Sequence, residues 1–289
     1  MRTDRGQGAL FAAPTLLLVS LYLVYPAINT IRLSFLDGRS ERFVGFKNYL
    51  NVLTAEATLN ALRDNLLWLL IFTASTVTLG LIAAVLTDGV KYEAFVKSII
   101  FMPMAISFAG AGVIWKFVYA YNPPGVSQIG LLNQLRTVFG ADPVPWLITK
   151  PWVNNLALIA VGVWVWTGFA MVVLSAGYKG IPRELMEAAR VDGASELQVF
   201  RHVSLPQLKP TIGVVVTTMM VNVLKVFDIV YVMTNGNFET EVLANRMYKE
   251  MFEFRNYGQA SAIAVLLLLA ITPMMLLSIK RFKVEEAGR

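Results

Sequence analysis

Long apolar segments alternate with short polar segments along the whole of this chain. A helix needs about 20 largely apolar residues to cross the hydrocarbon core of a bilayer. Windows of that size recur at residues 9–35, 66–87, 98–121, 152–178, 210–234 and 259–280. Because backbone groups in lipid must find their hydrogen-bond partners within the protein, these six spans are expected to be helices rather than strands. The pattern predicts an all-α, polytopic membrane helix bundle.

The composition agrees with a membrane location. Hydrophobic residues make up 56% of the 289 residues, charged residues make up 15%, and the mean hydropathy is +0.58. Such a chain is too apolar for an ordinary soluble domain. Connections of roughly 10 to 30 residues leave no room for a separate globular domain. We therefore expect a single transmembrane domain over residues 1–289, and its first span is too long for a signal peptide.

The distribution of lysine and arginine predicts the orientation. These residues are more numerous in the segments that six spans would place on the same side as the termini. Positive charge marks the cytoplasmic side, so both termini and the polar loop at residues 179–209 are predicted to be cytoplasmic. This bias explains the net charge of +6 without a nucleic-acid partner. The absence of cysteine excludes disulfides, and one histidine is too few for a metal site.

The loop at residues 179–209 has the signals of two short helices joined by a bend. Pro182 suits the first turn of a helix, and Gly193 can adopt the left-handed conformation that ends it. Ser195 and Gln198 then have the spacing of a capping box that starts a second helix. Leu205-Pro206 is expected to end that second helix.

Two interpretations of this loop are open on the residues alone. Leu197, Phe200 and Val203 recur at three-residue steps and form a narrow apolar stripe that would fit a groove on a partner. The alternative is a helix lying on lipid headgroups, with the basic residues of the loop near phosphates. The carboxylates of the loop are a poor match to an anionic surface and favour the partner.

The loop resembles a known family motif. Glu187-Ala188-Ala189, Gly193 after three further residues, and Val203-Ser204-Leu205-Pro206 after nine more match the Glu-Ala-Ala loop of permease subunits of binding-protein-dependent ABC importers. The one departure is Val203, where the family motif has isoleucine. Segments 43–49, 181–184 and 257–262 also look like the carbohydrate-uptake, maltose-type branch. The resemblance implies a type I ABC importer permease fold with six transmembrane helices.

The resemblance also implies partners and roles. Two permeases, namely this chain and a related second chain, would form the pore. Each would place its loop on one of two cytoplasmic ATPase subunits. The ATPase uses ATP and Mg, an extracytoplasmic binding protein delivers the sugar, and the complex lies in the prokaryotic inner membrane. In this view Glu187 anchors the docked helix, Ala188 and Ala189 keep it slim, and Gly193 bends it. The implied coupling residues are Glu187, Ala188, Ala189, Asp192, Gly193, Val203, Leu205 and Pro206.

The segment 227–237 points to a substrate class. It differs from the Gly-Gly-Pro sequence of many sugar permeases and most resembles permeases for alpha-glucosides and related glucosyl compounds. The resemblance therefore implies an alpha-glucoside or related oligosaccharide as the solute.

Polar and aromatic residues within the spans are candidates for the substrate path. Lys225 and Asp228 are expected on one face of the fifth span and would neutralise each other beside a water-filled path, although a purely structural ion pair explains them equally well. Tryptophans of the fourth span could stack on a sugar ring or fill the bundle. The candidates are Asn222, Lys225, Asp228, Tyr231, Trp164 and Trp166.

Two other function classes would leave different marks in the sequence. An ion-gradient-driven secondary transporter of a small polar solute would also carry intramembrane charges, but no repeated halves with broken helices are visible in the sequence. An enzyme is not expected, since the sequence contains no His-Glu-x-x-His and no Gly-x-Ser-x-Gly. The chain also lacks a P-loop, so the energy of ATP would come from a partner.

Overall fold

The computed structural model describes residues 5–150 and 152–287, and these residues are helical almost throughout. Within them the extended pairing is a single antiparallel bridge between Leu36 and Phe43. The α-helices are α1 Arg5–Val19, α2 Tyr25–Leu33, α3 Lys47–Thr54, α4 Glu56–Leu86, α5 Glu93–Phe101, α6 Phe108–Val118, α7 Leu131–Val138, α8 Val153–Lys179, α9 Arg183–Val191, α10 Glu196–Val199, α11 Leu205–Leu224, α12 Asp228–Met233, α13 Leu243–Tyr248 and α14 Tyr257–Ala287.

Several helices have the length and composition of membrane spans. Within the described residues, the unbroken candidates are Phe11–Leu33, Glu56–Leu86, Val153–Lys179 and Glu196–Leu224. The prediction of an all-α chain with several apolar helices is confirmed. The second span starts at Glu56 rather than near residue 66, and α14 covers the predicted sixth span. The total of six spans and the side of the termini remain predictions.

The third span is not the straight helix predicted over residues 98–121. Glu93–Ala105 and Phe108–Val118 meet at an angle of 99°. Pro103 lies in a 3₁₀ turn between the two parts, and the extended Ser107 begins α6 by accepting a hydrogen bond from the Gly110 N–H at 3.1 Å. The break follows from proline and N-cap chemistry.

The fifth span predicted over residues 210–234 is also wrong at its carboxyl end. Helix α11 stops at Leu224, and the separate helix α12 starts at Asp228. Lys225 and Phe227 have non-helical backbone angles. The Val223 carbonyl accepts the Val226 N–H at 3.0 Å, and the Asn65 amide of α4 approaches the same oxygen at 3.5 Å, so a tertiary contact accompanies the helix end.

By its internal contacts the chain divides into two compact units, and the first consists of Met1–Leu59 and Arg246–Leu269. Within it, Asn48 donates hydrogen bonds to the carbonyls of Ser34 and Leu36 at 2.8 and 2.6 Å. Gly258 lies against the same turn, where an added Cβ would be 2.3 Å from the Leu36 oxygen. The segments 43–49 and 257–262, singled out in the sequence, therefore meet around one chain reversal.

The second unit consists of Asn60–Asn245 and Ala270–Arg289, and its core surrounds α8. Leu158, Met171 and Leu174 of this helix are fully buried. Gly168 allows the backbone of α5 to approach, since a Cβ there would be 2.5 Å from the Phe101 Cα. Small residues at helix crossings give the close packing that stabilises helices in lipid. The expectation of one domain over residues 1–289 stays a prediction.

Candidate functional site

The loop at residues 179–209, called here the Glu187 loop, contains the predicted pair of helices. Helix α9 runs from Arg183 to Val191, with Pro182 as its N-cap residue and Asp192 as its C-cap residue. Met186 is buried on one side of α9, whereas Glu187 and Ala188 are exposed on another. Met186 contacts the Ser204 hydroxyl at 3.6 Å, so α9 packs by one face on the second helix of the loop and leaves Glu187 exposed on another.

Gly193 forms the bend between the two helices. Its φ of +84° lies in the left-handed region, and its N–H donates to the Arg190 carbonyl at 3.0 Å. The next N–H, of Ala194, closes a longer turn on the Ala189 carbonyl, also at 3.0 Å. A Cβ at residue 193 would meet nothing within 4 Å. The backbone conformation, rather than space, is what favours glycine here.

Polar contacts hold the bend on both sides of Gly193. The predicted capping box of Ser195 and Gln198 is confirmed, with the Ser195 N–H donating to the Gln198 side chain at 2.7 Å. Arg190 donates two hydrogen bonds to the Glu196 carboxylate, at 2.7 and 3.1 Å. These hydrogen bonds raise the pKa of the Arg190 guanidinium above its usual range.

The second helix does not end at Leu205-Pro206, contrary to the sequence prediction. It continues through a π-helical turn at Phe200–Ser204 into α11, so that Glu196–Leu224 is one helix of 29 residues. A wider π turn rearranges the carbonyls ahead of Pro206, which has no N–H to donate, and proline is thereby tolerated. The Glu187 loop is therefore joined to a membrane helix without a flexible linker.

The outer surface of the Glu187 loop combines a groove with exposed apolar side chains. The groove between its two helices is lined by Ala189, Asp192, Gly193, Ala194, Gln198, His202 and Val203. Leu185, Val191 and Leu197 are exposed, the last two at 87% and 74%. A groove flanked by exposed apolar side chains on a polar loop is compatible with an interaction surface. Of the eight predicted coupling residues, Ala189, Asp192, Gly193 and Val203 line this groove, and Leu205 and Pro206 lie in the helix beyond it.

A second site is a cavity at the carboxyl end of α11. We call it the Trp166 cavity; it occupies about 500 Å³ including its open mouth. It is lined by Trp68, Phe72, Phe108, Gly162, Trp166, Asn222, Val223, Lys225, Val226, Phe227, Asp228 and Ile229. Pockets with apolar walls and a few polar groups are typical of small-molecule sites.

The helix break after Leu224 arranges the polar groups of the Trp166 cavity. Asn222 is the last of them on α11, Lys225 lies in the break, and Asp228 begins α12. The prediction that Lys225 and Asp228 share one helical face and neutralise each other is wrong, since no ion pair joins them within residues 5–150 and 152–287. Both side chains are exposed, so a polar solute has access to an ammonium and a carboxylate.

The aromatic candidates separate in the structure. Trp166 lines the Trp166 cavity and stacks on Phe108, with ring centroids 5.9 Å apart. Trp164 lies in a different groove and packs against Trp115. Tyr231 lies outside both linings and stacks on Phe227 at 5.1 Å. Of the two tryptophans of α8, Trp166 is therefore the one that lines the same cavity as Asn222, Lys225 and Asp228.

The sequence did not indicate that Gly162, Trp68 and Phe72 form the floor of the Trp166 cavity. A Cβ at Gly162 would be 3.1 Å from the Trp68 ring and 3.2 Å from the Phe72 ring, so glycine keeps this space open. Asn65 was missed as well: its side-chain oxygen accepts the Leu243 N–H at 2.7 Å, while its amide approaches Val223 beside the cavity. Both residues lie in apolar spans, where only the tertiary fold distinguishes them from packing residues.

No cluster of potential metal ligands is present among the described residues.

Comparisons with known proteins agree on one family. The sequence model described as the binding-protein-dependent transport system inner membrane component matches residues 76–279. The chain is 56% identical over 280 residues to the osmoprotective compounds uptake permease protein GgtC of Synechocystis, covering 97% of this chain and 100% of that protein. It is 45% identical to the alpha-glucoside transport system permease protein AglF of Rhizobium meliloti, covering 96% of this chain and 83% of that protein.

A solved structure shares the fold. A chain of a bacterial ABC transporter that imports the acidic polysaccharide alginate matches with a TM-score of 0.80 at 22% identity, over 96% of each chain. The type I ABC importer permease fold expected from the sequence is therefore confirmed.

Proposed function

This chain belongs to the family of binding-protein-dependent transport system inner membrane components, and from that membership we propose that it forms half of the translocation pore of an ATP-driven importer of alpha-glucosides or related glucosyl compounds. It is a multi-pass protein of the inner membrane and a transporter subunit rather than an enzyme. Its proposed partners are a related second permease, two cytoplasmic ATPase subunits that use ATP and Mg, and an extracytoplasmic sugar-binding protein.

The observation that carries the coupling proposal is the rigid bend of the Glu187 loop. The capping box and the paired Arg190 and Glu196 hold its two helices in one arrangement, and the second helix continues into α11. A force applied to such a loop moves a membrane helix instead of stretching a linker. In this proposal Glu187 and Ala188 contact the ATPase, while Ala189, Asp192, Gly193 and Val203 shape the groove beside them.

The Trp166 cavity supports a sugar as the solute. A pyranose ring has an apolar C–H face that suits an aromatic side chain such as Trp166, and hydroxyl groups that suit Asn222, Lys225 and Asp228. Neither charged group is neutralised by the other, so both remain free to hydrogen-bond hydroxyls. The alpha-glucoside assignment also draws support from AglF, which is 45% identical to this chain.

Reconstitution tests the proposal. The complex is purified through an affinity tag on this chain, placed in liposomes and supplied with the external binding protein and radiolabelled maltose, trehalose or sucrose. ATP-dependent uptake of at least one of these sugars, lost when the ATPase is removed, is the expected result. Uptake driven by an ion gradient with this chain alone would assign it to the secondary transporters instead.

A further inference from the structure

A cluster of charged side chains lies at the end of α8 where the Glu187 loop begins. Glu93, the first residue of α5, contacts two ammonium groups, those of Lys97 and Lys179, each at 2.5 Å. The Lys97 ammonium also donates a hydrogen bond to the buried Ser175 hydroxyl, and Asp88 lies 3.9 Å from the Lys179 ammonium. Because Glu93 and Lys97 are only 20% and 16% exposed, the contact between them is screened less than a surface ion pair, whereas Lys179 is 52% exposed and its contact is more open to solvent.

The cluster is next to the Glu187 loop in the chain. Lys179 is the last residue of α8, and α9 begins at Arg183. Gly180 and Ile181 connect them through turns that bond back to α8. A displacement of α9 is therefore applied to α8 beside the Lys179 and Glu93 ion pair.

The cluster and Gly168 together clamp α5 onto α8 at two points. Near the end of α5, the Ile100 oxygen would be 2.6 Å from a Cβ at Gly168. Toward its start, Glu93 contacts Lys179 and Lys97 contacts Ser175, both residues of α8. With both points in place α5 moves together with α8 as one body.

Helix α5 leads to the wall of the Trp166 cavity. It enters the break at Pro103, beyond which α6 packs on α12: a Cβ at Gly112 would be 3.2 Å from the Val232 side chain. Lys116 of α6 also donates to the Val232 carbonyl at 3.3 Å. Helix α12 carries Asp228 at the cavity. A continuous series of packed helices thus joins the Glu187 loop to the cavity.

We propose that Glu93 is a positioning residue that, by holding Lys179, makes α5 follow the Glu187 loop and so transmits ATPase motion to the Trp166 cavity. The inference rests on the proposed function, because it takes the loop as the docking site of an ATPase. Breaking the ion pair leaves α5 attached to α8 at Gly168 and through Lys97 and Ser175. It removes the contact with Lys179, where the Glu187 loop begins, so less of the loop's motion reaches the start of α5.

The absence of cysteine makes a direct test possible. A Val226→Cys variant places one thiol in the lining of the Trp166 cavity. The tagged complex is treated with a membrane-impermeant maleimide, with and without ATP and vanadate. The rate at which this chain is alkylated is then measured. Glu93→Gln is expected to reduce the nucleotide-dependent change in the labelling rate by about tenfold, while the amount of co-purified ATPase is unchanged. Lys91→Gln, at an exposed lysine of the same segment outside the cluster, is the matched control and is expected to keep the full change.

A double variant separates positioning from folding. If Glu93 acts through Lys179, Glu93→Gln combined with Lys179→Gln loses no more of the nucleotide response than the larger single effect. Additive losses, or a full response in Glu93→Gln, overturn the inference. If the parent complex contains no ATPase, or if the labelling rate of Val226→Cys is the same with and without nucleotide, the proposed function on which the inference rests is rejected instead.

Discussion

Arg190 holds both carboxylate oxygens of Glu196 across the bend at Gly193, at 2.7 and 3.1 Å. The planar guanidinium matches a carboxylate with two parallel hydrogen bonds, which fixes direction as well as distance. The two helices of the Glu187 loop are thereby joined by a contact that lysine cannot reproduce.

The fork between Arg190 and Glu196 predicts a graded loss of coupling in Arg190→Lys. The charge remains but the two-point geometry is lost, so sugar uptake per ATP hydrolysed is expected to fall by about twofold to fivefold, a modest effect because both groups are exposed. Uptake and hydrolysis measured in the same liposomes give this ratio. Arg201→Lys, at an exposed arginine of the same loop, is the control. An equal loss in both variants would show that the two hydrogen bonds from Arg190 to Glu196 are not needed for coupling.

Gly193→Val tests the bend itself. A left-handed backbone at a non-glycine residue costs about 1–2 kcal/mol, so the loop is expected to adopt another angle. Uptake should then drop while ATP hydrolysis and membrane insertion persist. Gly140→Val is matched to it, because Gly140 also has a positive φ and open space around it but lies outside the Glu187 loop. Normal uptake in Gly193→Val would show that the bend is not needed for coupling.

The separation of the two tryptophans of α8 predicts different effects on substrate binding. Trp166→Phe removes part of the aromatic wall of the Trp166 cavity and is expected to raise the KM for uptake by about threefold to tenfold, with ATP hydrolysis retained. Trp164→Phe, in a different groove, should leave the KM unchanged. A larger KM change in Trp164→Phe than in Trp166→Phe would place the sugar elsewhere.

Two glycines of α8 predict different costs in stability. A Cβ at Gly168 meets the backbone of α5 at 2.5 Å, whereas one at Gly162 meets aromatic rings at 3.1–3.2 Å. Backbone yields less readily than a ring, so Gly168→Ala is expected to lose about 1–3 kcal/mol or more of stability and Gly162→Ala less. Thermal unfolding of the purified complex in detergent ranks the two, and the reverse order would contradict the packing of α5 on α8.

Much of this fold follows from local signals in the sequence. The end of α9 just before Gly193, the left-handed conformation of Gly193 and the capping box at Ser195 depend on neighbouring residues alone, and each prediction is confirmed. Helix α8 is continuously apolar, and its ends at Val153 and Lys179 lie within a residue of the predicted span.

The failures arise where contacts distant in sequence, or unusual helical turns, decide the structure. Helix α11 stops at Leu224 with no glycine or proline there, next to the approach of Asn65, which is 158 residues away from Val223. Pro206 was expected to end a helix, but the π turn ahead of it preserves the helix. The cavity could not be predicted as a whole because Trp68, Gly162 and Phe108 come from separate helices and look like packing residues in isolation.

Crosslinking from Ala188 tests the central claim most directly, namely that the Glu187 loop docks on an ATPase. Ala188 is exposed on α9, and Ala188→Cys gives a single attachment point for benzophenone maleimide because the chain has no other cysteine. The same label at Phe139→Cys, a residue that is 83% exposed beside α7, is the control. We predict an adduct with a nucleotide-hydrolysing subunit from residue 188 and none from residue 139. Adducts from residue 188 that contain only lipid would contradict the account.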